Sequence, residues 1–301
     1  MQNTPSLSVV VNTMNSEKFL ELALASAAFA DEIIIVDMHS TDATQKIAKK
    51  FTNKIFMFED IGYVEPARNF AIEKATSDWI LILDADEEIP NGLQLKIKDI
   101  LTEPTFDAYY IPRSNEVFGY EMRKTGWWPD HQLRLFKKGV VTWSDKIHSV
   151  PTVAGTSEYL QAMPEIAIKH HNYQSVSQFV DRMNRYTDIE ANNDSDVPMT
   201  TAMVITSFRD ELLRRLFSHD GIQEGMHGVG LSFLQSFYQV LVILKKWEQR
   251  GFKQHSATEK ETLTALKEFQ RSLVYWTYAY EIEHGSPIQK VIARIKRKIG
   301  I

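Results

Sequence analysis

The first hundred residues alternate between short apolar runs and segments whose apolar residues recur every three or four positions. The runs predict buried strands, and the periodic segments predict helices with one apolar face. This alternation predicts an α/β fold with a mainly parallel, doubly wound sheet. The predicted strands are 7–12, 32–37, 54–58 and 79–84. The predicted helices are 17–29, 66–74, 90–101 and one that ends at about 51. Residues 40–42 offer N-caps for the helix that ends at about 51.

The pattern changes after residue 107. Short strand-like pieces at 108–111, 133–136 and 140–143, joined by aromatic, Gly- and Pro-containing loops, predict a mixed extension of the sheet. From residue 175 onward, apolar residues follow a helical period. We therefore predict an α/β domain over 1–165 and a helical region over 166–301. The predicted helices there are 175–191, 199–217, 226–250 and 258–283, followed by the C-terminal tail.

Four carboxylates follow the fourth predicted strand within five residues: Asp84, Asp86, Glu87 and Glu88. Packing does not favour such a cluster, because like charges this close repel. Open α/β sheets place ligand sites just outside the carboxyl ends of their strands, where two Asp side chains can hold a divalent cation that grips a phosphate. An acidic start of the next helix is the alternative, and it suits Glu87 and Glu88 better. Ile89 occupies the position where an EF-hand loop needs Gly, which excludes that motif.

A second strand end supplies another acid. Asp37 closes the second predicted strand, and a doubly wound sheet can bring it to the same crevice as Asp84. Asp37 could accept hydrogen bonds from a nucleobase or a ribose. Arg68, near the start of the third predicted helix, could pair with a phosphate or with the acidic cluster, and a structural arginine is the alternative.

Composition narrows the classes of function without choosing one. The 301 residues are 44% hydrophobic and 24% charged, which fits an ordinary globular protein of one or two domains. A net charge of −5 gives no sign of nucleic-acid binding, and the lack of Cys excludes disulfides, thiolate zinc sites and a Cys nucleophile. We expect no signal peptide and no transmembrane helix. The most apolar segment, 229–244, is interrupted by Gln235 and Gln239.

The C-terminal tail combines an apolar stripe with a basic face. No acid follows Ser286, so the tail carries a charge of about +5. A basic amphipathic helix of this kind can lie on an anionic membrane surface. The alternative is a helix docked on its own protein with a solvated basic face. The apolar residues are Ile288, Val291, Ile292, Ile295 and Ile299, and the basic residues are Lys290, Arg294, Lys296, Arg297 and Lys298.

Several short segments occur in a family-like order. Between positions 7 and 90 they are 7–17, 31–37 with 40–44, 68–71 and 83–87. Each is weak alone, but at this spacing the set resembles the family 2 glycosyltransferases of the GT-A fold. More narrowly, segments 126–136, 146–148, 208–209 and 221–228 resemble a bacterial subgroup near the lipopolysaccharide core glucosyltransferases.

This resemblance implies a Rossmann-like GT-A domain with a helical C-terminal region. It implies inverting sugar transfer from a nucleotide-sugar, most often a UDP-sugar, to a glycan or lipid-linked acceptor in the synthesis of cell-envelope polysaccharide, at the cytoplasmic side. Thr13, Glu17 and Asp37 would line the nucleotide pocket. Asp84 would lie near the ribose and the metal, and Asp86 would be the main contact to Mg²⁺ or Mn²⁺. The physical logic agrees, since a cation offsets the charge that builds on a departing diphosphate.

The general base departs from the family pattern. Relatives often carry a His-Glu pair where this chain has His148 and Ser149, and a serine cannot act as a base at neutral pH. Asp130, in the aromatic loop after Trp127, is the first substitute, and His148 and Asp145 follow. Structural roles are the alternatives for Asp130 and His148. The pair at 170–171 shows no acid at a useful spacing, so we assign it no role.

Two other classes of function stay open at this point. A sugar nucleotidyltransferase shares the layered sheet and the metal-binding carboxylates. Such enzymes open with a Gly-rich loop carrying Arg and Lys, whereas loop 12–17 has neither Gly nor a cation. A catalytically degenerate scaffold or peripheral membrane protein is the other alternative, to which Ser149 gives weight.

Overall fold

The computed structural model describes residues 5–59, 64–143, 151–192, 200–253 and 259–299. The chain divides into two compact units. The first runs to Glu121 and resumes over Trp127–Tyr173. The second consists of Met122–Gly126 and the chain from Gln174 onward. The first unit therefore extends eight residues beyond the predicted boundary at 165, because 168–173 form a strand of its sheet.

The first unit is built on a sheet of ten strands within the described residues, in the order β3-β2-β1-β4-β8-β6-β12-β5, with β7 and β11 also pairing with β6. A separate ribbon joins β9 and β10. The strands are β1 Leu7–Thr13, β2 Glu32–Asp37, β3 Ile55–Met57, β4 Trp79–Asp84, β5 Glu87–Glu88, β6 Ala108–Val117, β7 Tyr120–Glu121, β8 Asp130–Lys137, β9 Val141–Thr142, β10 Thr152–Val153, β11 Ser157–Tyr159 and β12 Ile168–Tyr173.

The predicted parallel core of the sheet is confirmed. Strand β1 pairs in parallel with β2 and β4, and β2 pairs in parallel with β3. Strand β8 then runs antiparallel to both β4 and β6. The carboxyl ends of β1, β2 and β4 consequently meet at one edge of the sheet, as the α/β pattern predicts.

Apolar side chains cover both faces of this sheet, which explains why its strands read as continuous apolar runs. In β4, Leu81 and Leu83 belong to one core cluster, while Ile80 and Ile82 belong to the other, and all four are fully buried. Each such side chain stabilises the fold by about 1.5–3 kcal/mol. Helices α1, α2 and α4 supply the first cluster and α3 the second; their bounds are α1 Leu20–Ser26, α2 Thr44–Ala48, α3 Glu65–Lys74 and α4 Asn91–Thr102.

The second unit is helical, as predicted. Ser175 caps its first helix, since its Oγ accepts a hydrogen bond from the backbone N–H of Gln178 at 3.1 Å. A π-helical turn over Arg214–Ser218 follows the second helix. The helices are α5 Val176–Ala191, α6 Thr201–Leu213, α7 Gly225–Gln249, α8 Glu259–His284 and α9 Pro287–Ile299.

One helical stretch of the described chain, Gly221–Gln249, is long and apolar enough to cross a membrane by length and composition alone. Only 28% of its most apolar window is buried within the protein. The sequence did not predict a span here, and core helices of soluble proteins can satisfy the same two criteria. The property therefore does not by itself make α7 a transmembrane segment.

Candidate active site

Three strand ends bring the predicted nucleotide and metal residues together. In the sheet register, Thr13 of β1 lies opposite Asp37 of β2, and Asn12 lies opposite Asp84 of β4. These residues come from positions far apart in the chain, yet they occupy adjacent strands at one edge. The edge is the place where open α/β sheets bind ligands.

The end of β1 carries buried polar atoms that have no hydrogen-bond partner among the described residues. Asn12 and Thr13 are 6% and 1% exposed. Both atoms of the Asn12 amide, and the Thr13 hydroxyl, lack hydrogen bonds. Buried polar groups are nearly always satisfied, so orphaned ones at a strand end point to a ligand. Thr13 was a predicted site residue, whereas Asn12 was missed because an Asn ending an apolar strand is also a common turn former.

The loops after β1 and β2 are bonded to each other around Glu17 and Asp37. The Glu17 carboxylate accepts a hydrogen bond from the backbone N–H of Ala43 at 2.9 Å. The Asp37 carboxylate accepts from the backbone and hydroxyl of Ser40 and from Gln45 Nε2 at 2.8 Å. Both predicted pocket residues are thus held in fixed positions by the loop that follows β2.

Of the N-cap candidates at 40–42, Asp42 bonds the start of the helix, since its Oδ1 accepts from the backbone N–H of Thr44 at 2.9 Å. Helix α2 starts at Thr44, and no side chain caps it at Ala43. Ser40 Oγ instead accepts from the backbone N–H of Asn15, and Asp42 Oδ2 accepts from that of Glu17. The two Asp42 oxygens therefore bond both the start of α2 and the loop after β1.

Asp84 is an ion-paired carboxylate. Its Oδ1 lies 3.1 Å from Arg68 Nη2, and its Oδ2 lies 2.6 Å from Arg134 Nη2. Burial opposes ionisation of Asp84, but the charges of Arg134 and Arg68 outweigh it and hold the pKa of this carboxyl well below its usual range. The sequence allowed Arg68 to pair with a phosphate or with the acidic cluster. In the structure it contacts the acidic cluster, through Asp84.

The prediction of an acidic helix start is wrong for Glu87 and Glu88, since both lie in β5 and α4 begins at Asn91. The side chain of Glu87 is fully buried. Its Oε1 lies 2.6 Å from Arg134 Nη2 and 3.3 Å from Arg113 Nη1, while Oε2 accepts from the backbone N–H of Asp84 at 3.0 Å. Glu87 therefore fixes the turn between the strand end and Asp86. Burial opposes the charge of Arg134, but Asp84 and Glu87 together raise the pKa of this guanidinium further.

Asp130 is held by three side chains. Arg113 donates to it from Nε at 2.9 Å and from Nη2 at 2.6 Å, Asn115 Nδ2 donates at 3.0 Å, and Gln132 Nε2 donates at 2.7 Å. Burial opposes ionisation, yet Arg113 and these hydrogen bonds lower the pKa of Asp130. A carboxylate stabilised in this way is a weaker base, so its catalytic role stays a prediction. His148, Asp145 and Ser149 lie outside the described residues.

The structure adds His170, to which the sequence gave no role. Strand β12 pairs antiparallel with β5, so that His170 lies opposite Glu87. Its Nε2 lies 3.6 Å from Asp86 Oδ1. The acid that the local spacing lacked comes from 84 residues earlier in the chain, through strand pairing that the sequence does not reveal. The side chains of His170 and Asp86 are 9% and 25% exposed.

Asp86 and His170 fit a shared divalent cation. Two ligands at about 2.1 Å from one ion lie roughly 3.0–4.2 Å apart, depending on their angle. The observed 3.6 Å falls inside this range. Within the described residues, no group of three or more His, Asp or Glu side chains is arranged to hold a metal alone. Such a site would therefore need oxygens from the ligand, which is usual for cations that bind phosphates.

Several known proteins are similar to this chain. A sequence profile of the family described as glycosyl transferase family 2 matches residues 8–153. An uncharacterized glycosyltransferase of Rickettsia bellii is 28% identical over 243 residues, covering 74% of this chain and 82% of the relative. The lipopolysaccharide core biosynthesis glycosyltransferase LpsC of Rhizobium meliloti is 26% identical over 149 residues, covering 47% of this chain and 55% of the relative. The crystal structure of S. aureus TarS 1–349 in complex with UDP aligns with a TM-score of 0.43 at 16% identity, covering 98% of this chain and 88% of the TarS chain.

Proposed function

This chain is a family 2 glycosyltransferase through residues 8–153, and from that premise we propose an inverting, metal-dependent hexosyltransferase. It moves a sugar from a UDP-sugar to a hydroxyl of a glycan or lipid-linked acceptor. The product belongs to cell-envelope polysaccharide or lipopolysaccharide, and the resemblance of part of the chain to LpsC supports that assignment. The enzyme works at the cytoplasmic face of the membrane.

One observation carries the proposal: buried polar atoms without hydrogen bonds lie at the end of β1, beside the end of β4 that carries Asp84. Asn12 and Thr13 present unpaired hydrogen-bonding groups, and Asp84 lies opposite Asn12 in the neighbouring strand. A nucleoside has the donors and acceptors that could bond to the side chains of Asn12 and Thr13. Glu17 and Asp37 line the same pocket, where Asp37 accepts hydrogen bonds from the nucleoside.

A divalent cation, when bound, would offset the charge that develops on the departing diphosphate. Asp86 and His170 would hold it, and Asp86 would be its main protein contact. Both oxygens of Asp84 already accept from arginines. Asp84 therefore acts mainly as a fixed carboxylate beside the ribose, with a secondary role toward the metal. Arg68 keeps it in place and is available to a phosphate oxygen.

The acceptor hydroxyl attacks the sugar on the face opposite the leaving group, through an oxocarbenium-like state. A base must take its proton. Asp130 and His148 are the two candidates from the sequence. The ion pair between Asp130 and Arg113 disfavours Asp130 as that base, since it stabilises the charged carboxylate. We therefore favour His148 for proton removal and Asp130 for holding the acceptor side in position.

Thermal unfolding with nucleotides tests the function. We expect UDP or a UDP-sugar with Mn²⁺ to raise the unfolding temperature of the full chain, and GDP and CDP to raise it less. At a ligand concentration of 100 times Kd the gain is about 2.7 kcal/mol, or roughly 5–10 °C for a domain of this size. Asp86→Ala serves as the control and should lose the Mn²⁺-dependent part. No shift with any nucleotide would favour the degenerate scaffold instead.

The last helix supports a membrane-bound enzyme. In α9, Ala293 is fully buried, whereas the five branched aliphatic side chains of the apolar stripe are 46–73% exposed. The helix is therefore not docked through its apolar face. This weighs against the alternative in which the tail packs on its own protein and only its basic face is solvated. Lys296 and Arg297 lie over the rings of Tyr278 and Tyr275 of α8. An exposed aliphatic stripe beside five cations suits an anionic bilayer surface.

Flotation with liposomes tests the membrane role. We expect the full chain to float with vesicles containing anionic lipid, and a double variant, Ile292→Ser with Ile295→Ser, to bind roughly 100-fold more weakly. The two lost side chains would each contribute about 1.5–3 kcal/mol if buried in lipid. This variant keeps every charge of α9. Leu95→Ser, which alters a 64% exposed side chain of α4, is the matched control. Equal flotation of all three proteins would contradict the role.

A further inference from the structure

Asn115 links three groups of the candidate site. It lies in β6, between β8 and β12, and is fully buried. Its Nδ2 lies 3.0 Å from the carbonyl oxygen of Trp127 and 3.0 Å from Asp130 Oδ2. Its Oδ1 lies 2.7 Å from His170 Nδ1. One amide thus contacts the aromatic loop, the carboxylate held by Arg113 and the histidine beside Asp86.

The orientation of this amide follows from its partners. A backbone carbonyl and an ionised carboxylate can only accept hydrogen bonds, so the NH₂ group of Asn115 has to face Trp127 and Asp130. A flipped amide would set an oxygen against two acceptors. Oδ1 consequently faces His170, and Nδ1 of that ring must carry the hydrogen.

The hydrogen on Nδ1 decides what His170 presents on its other side. A neutral imidazole has one N–H, so Nε2 carries a lone pair. That lone pair lies 3.6 Å from the Asp86 carboxylate, which is too far for a hydrogen bond. Two electron-rich atoms at this separation are favourable neighbours when a cation lies between them.

We propose that Asn115 is a positioning residue, which fixes the Nδ1–H tautomer of His170 and so directs its Nε2 lone pair toward Asp86. The inference rests on the proposed function for its purpose, since the lone pair serves a cation shared with Asp86. Ligating histidines commonly donate their second ring nitrogen to an acceptor that fixes the ring. Asn115 is that acceptor, and its own orientation is fixed in turn by Trp127 and Asp130.

Nitrogen-detected NMR of the full chain, without metal or nucleotide, tests the tautomer directly. Multiple-bond ¹H–¹⁵N spectra at alkaline pH distinguish protonated from unprotonated ring nitrogens, and His170→Gln identifies the signals. We expect Nδ1–H in the wild type and a mixture of tautomers in Asn115→Leu. An Nε2–H ring in the wild type would overturn the proposal, and this spectrum decides even if the leucine variant does not fold.

Asn69→Leu is a matched control for the loss of a structural amide. Asn69 also makes two side-chain hydrogen bonds, both to the backbone of Trp143, and its loss should leave the His170 tautomer unchanged. A change of tautomer in this control equal to that in Asn115→Leu would overturn the specific role of Asn115.

Binding of Mn²⁺ in the presence of UDP, followed by EPR of the free ion, separates this inference from the proposed function. We expect Asn115→Leu to weaken Mn²⁺ binding about 10- to 100-fold and Asn69→Leu to leave it unchanged. Unchanged Mn²⁺ binding in Asn115→Leu would overturn the inference. A wild type that shows the Nδ1–H tautomer but binds no Mn²⁺ would support the positioning role and contradict the metal role proposed for Asp86.

Discussion

Asp86→Asn should lower kcat for sugar transfer about 100- to 1000-fold while the protein stays folded. The substitution keeps the size of the side chain but removes the charge that would hold the cation. Loss of one electrostatic stabiliser of a transition state typically costs a factor of this size. The side chain is 25% exposed and asparagine keeps its shape and one acceptor oxygen, so the effect on stability should be small.

Glu88→Gln is the matched control for this experiment. Glu88 lies two residues away, and its carboxylate is 3.7 Å from Lys169 and 3.7 Å from His171. Removal of its charge should change kcat by less than a factor of about three, since no role in the site depends on it. Transfer and Mn²⁺ affinity are measured for both variants and the wild type. Unchanged transfer by Asp86→Asn would eliminate the metal role of this residue.

The strand ends of the site were predictable because they depend on local patterns. An apolar run that stops at Asp37 or Asp84 indicates both the strand and its polar end. The rule that parallel strands end at one edge then places the two carboxylates near each other. The sheet register bears this out, since Asn12 of the strand between them lies opposite Asp84. No long-range contact has to be known for this step.

The partners of Asp84, Asp86 and Glu87 that come from β6, β8 and β12 were not predictable, because the sequence does not reveal the register of these strands. Arg113 and Arg134 lie in β6 and β8 and contact Glu87, from which they are 26 and 47 residues apart along the chain. His170 meets Asp86 in the same way. An Arg or a His within a strand pattern looks like an exposed residue until its neighbour is known. Of the counter-charges, the sequence therefore indicates Arg68 but not those on β6, β8 and β12.

Arg134→Met should destabilise the first unit by about 3–5 kcal/mol, the cost of breaking a buried ion pair by removing one partner. Its Nη2 lies 2.6 Å from both Asp84 and Glu87, and its side chain is only 3% exposed. Methionine fills much of the volume but removes the positive charge that pairs with the carboxylates of Asp84 and Glu87. Arg68→Met is the comparison, since Arg68 is 19% exposed and, among the described residues, forms an ion pair only with Asp84, at 3.1 Å. We expect that variant to lose roughly 1 kcal/mol.

The pH dependence of this loss distinguishes an electrostatic cause from a packing cause. In the wild type, the depressed pKa of Asp84 contributes stability above its ordinary pKa of 3.8, and acidification removes that contribution. In Arg134→Met, the buried carboxylates should have raised pKa values and become neutral as the pH falls. Urea unfolding of both proteins should therefore show a difference that is largest near pH 7 and shrinks toward pH 4. A difference independent of pH would mean that Arg134 stabilises the fold by packing, and that its charge does not hold Asp84 and Glu87 in place.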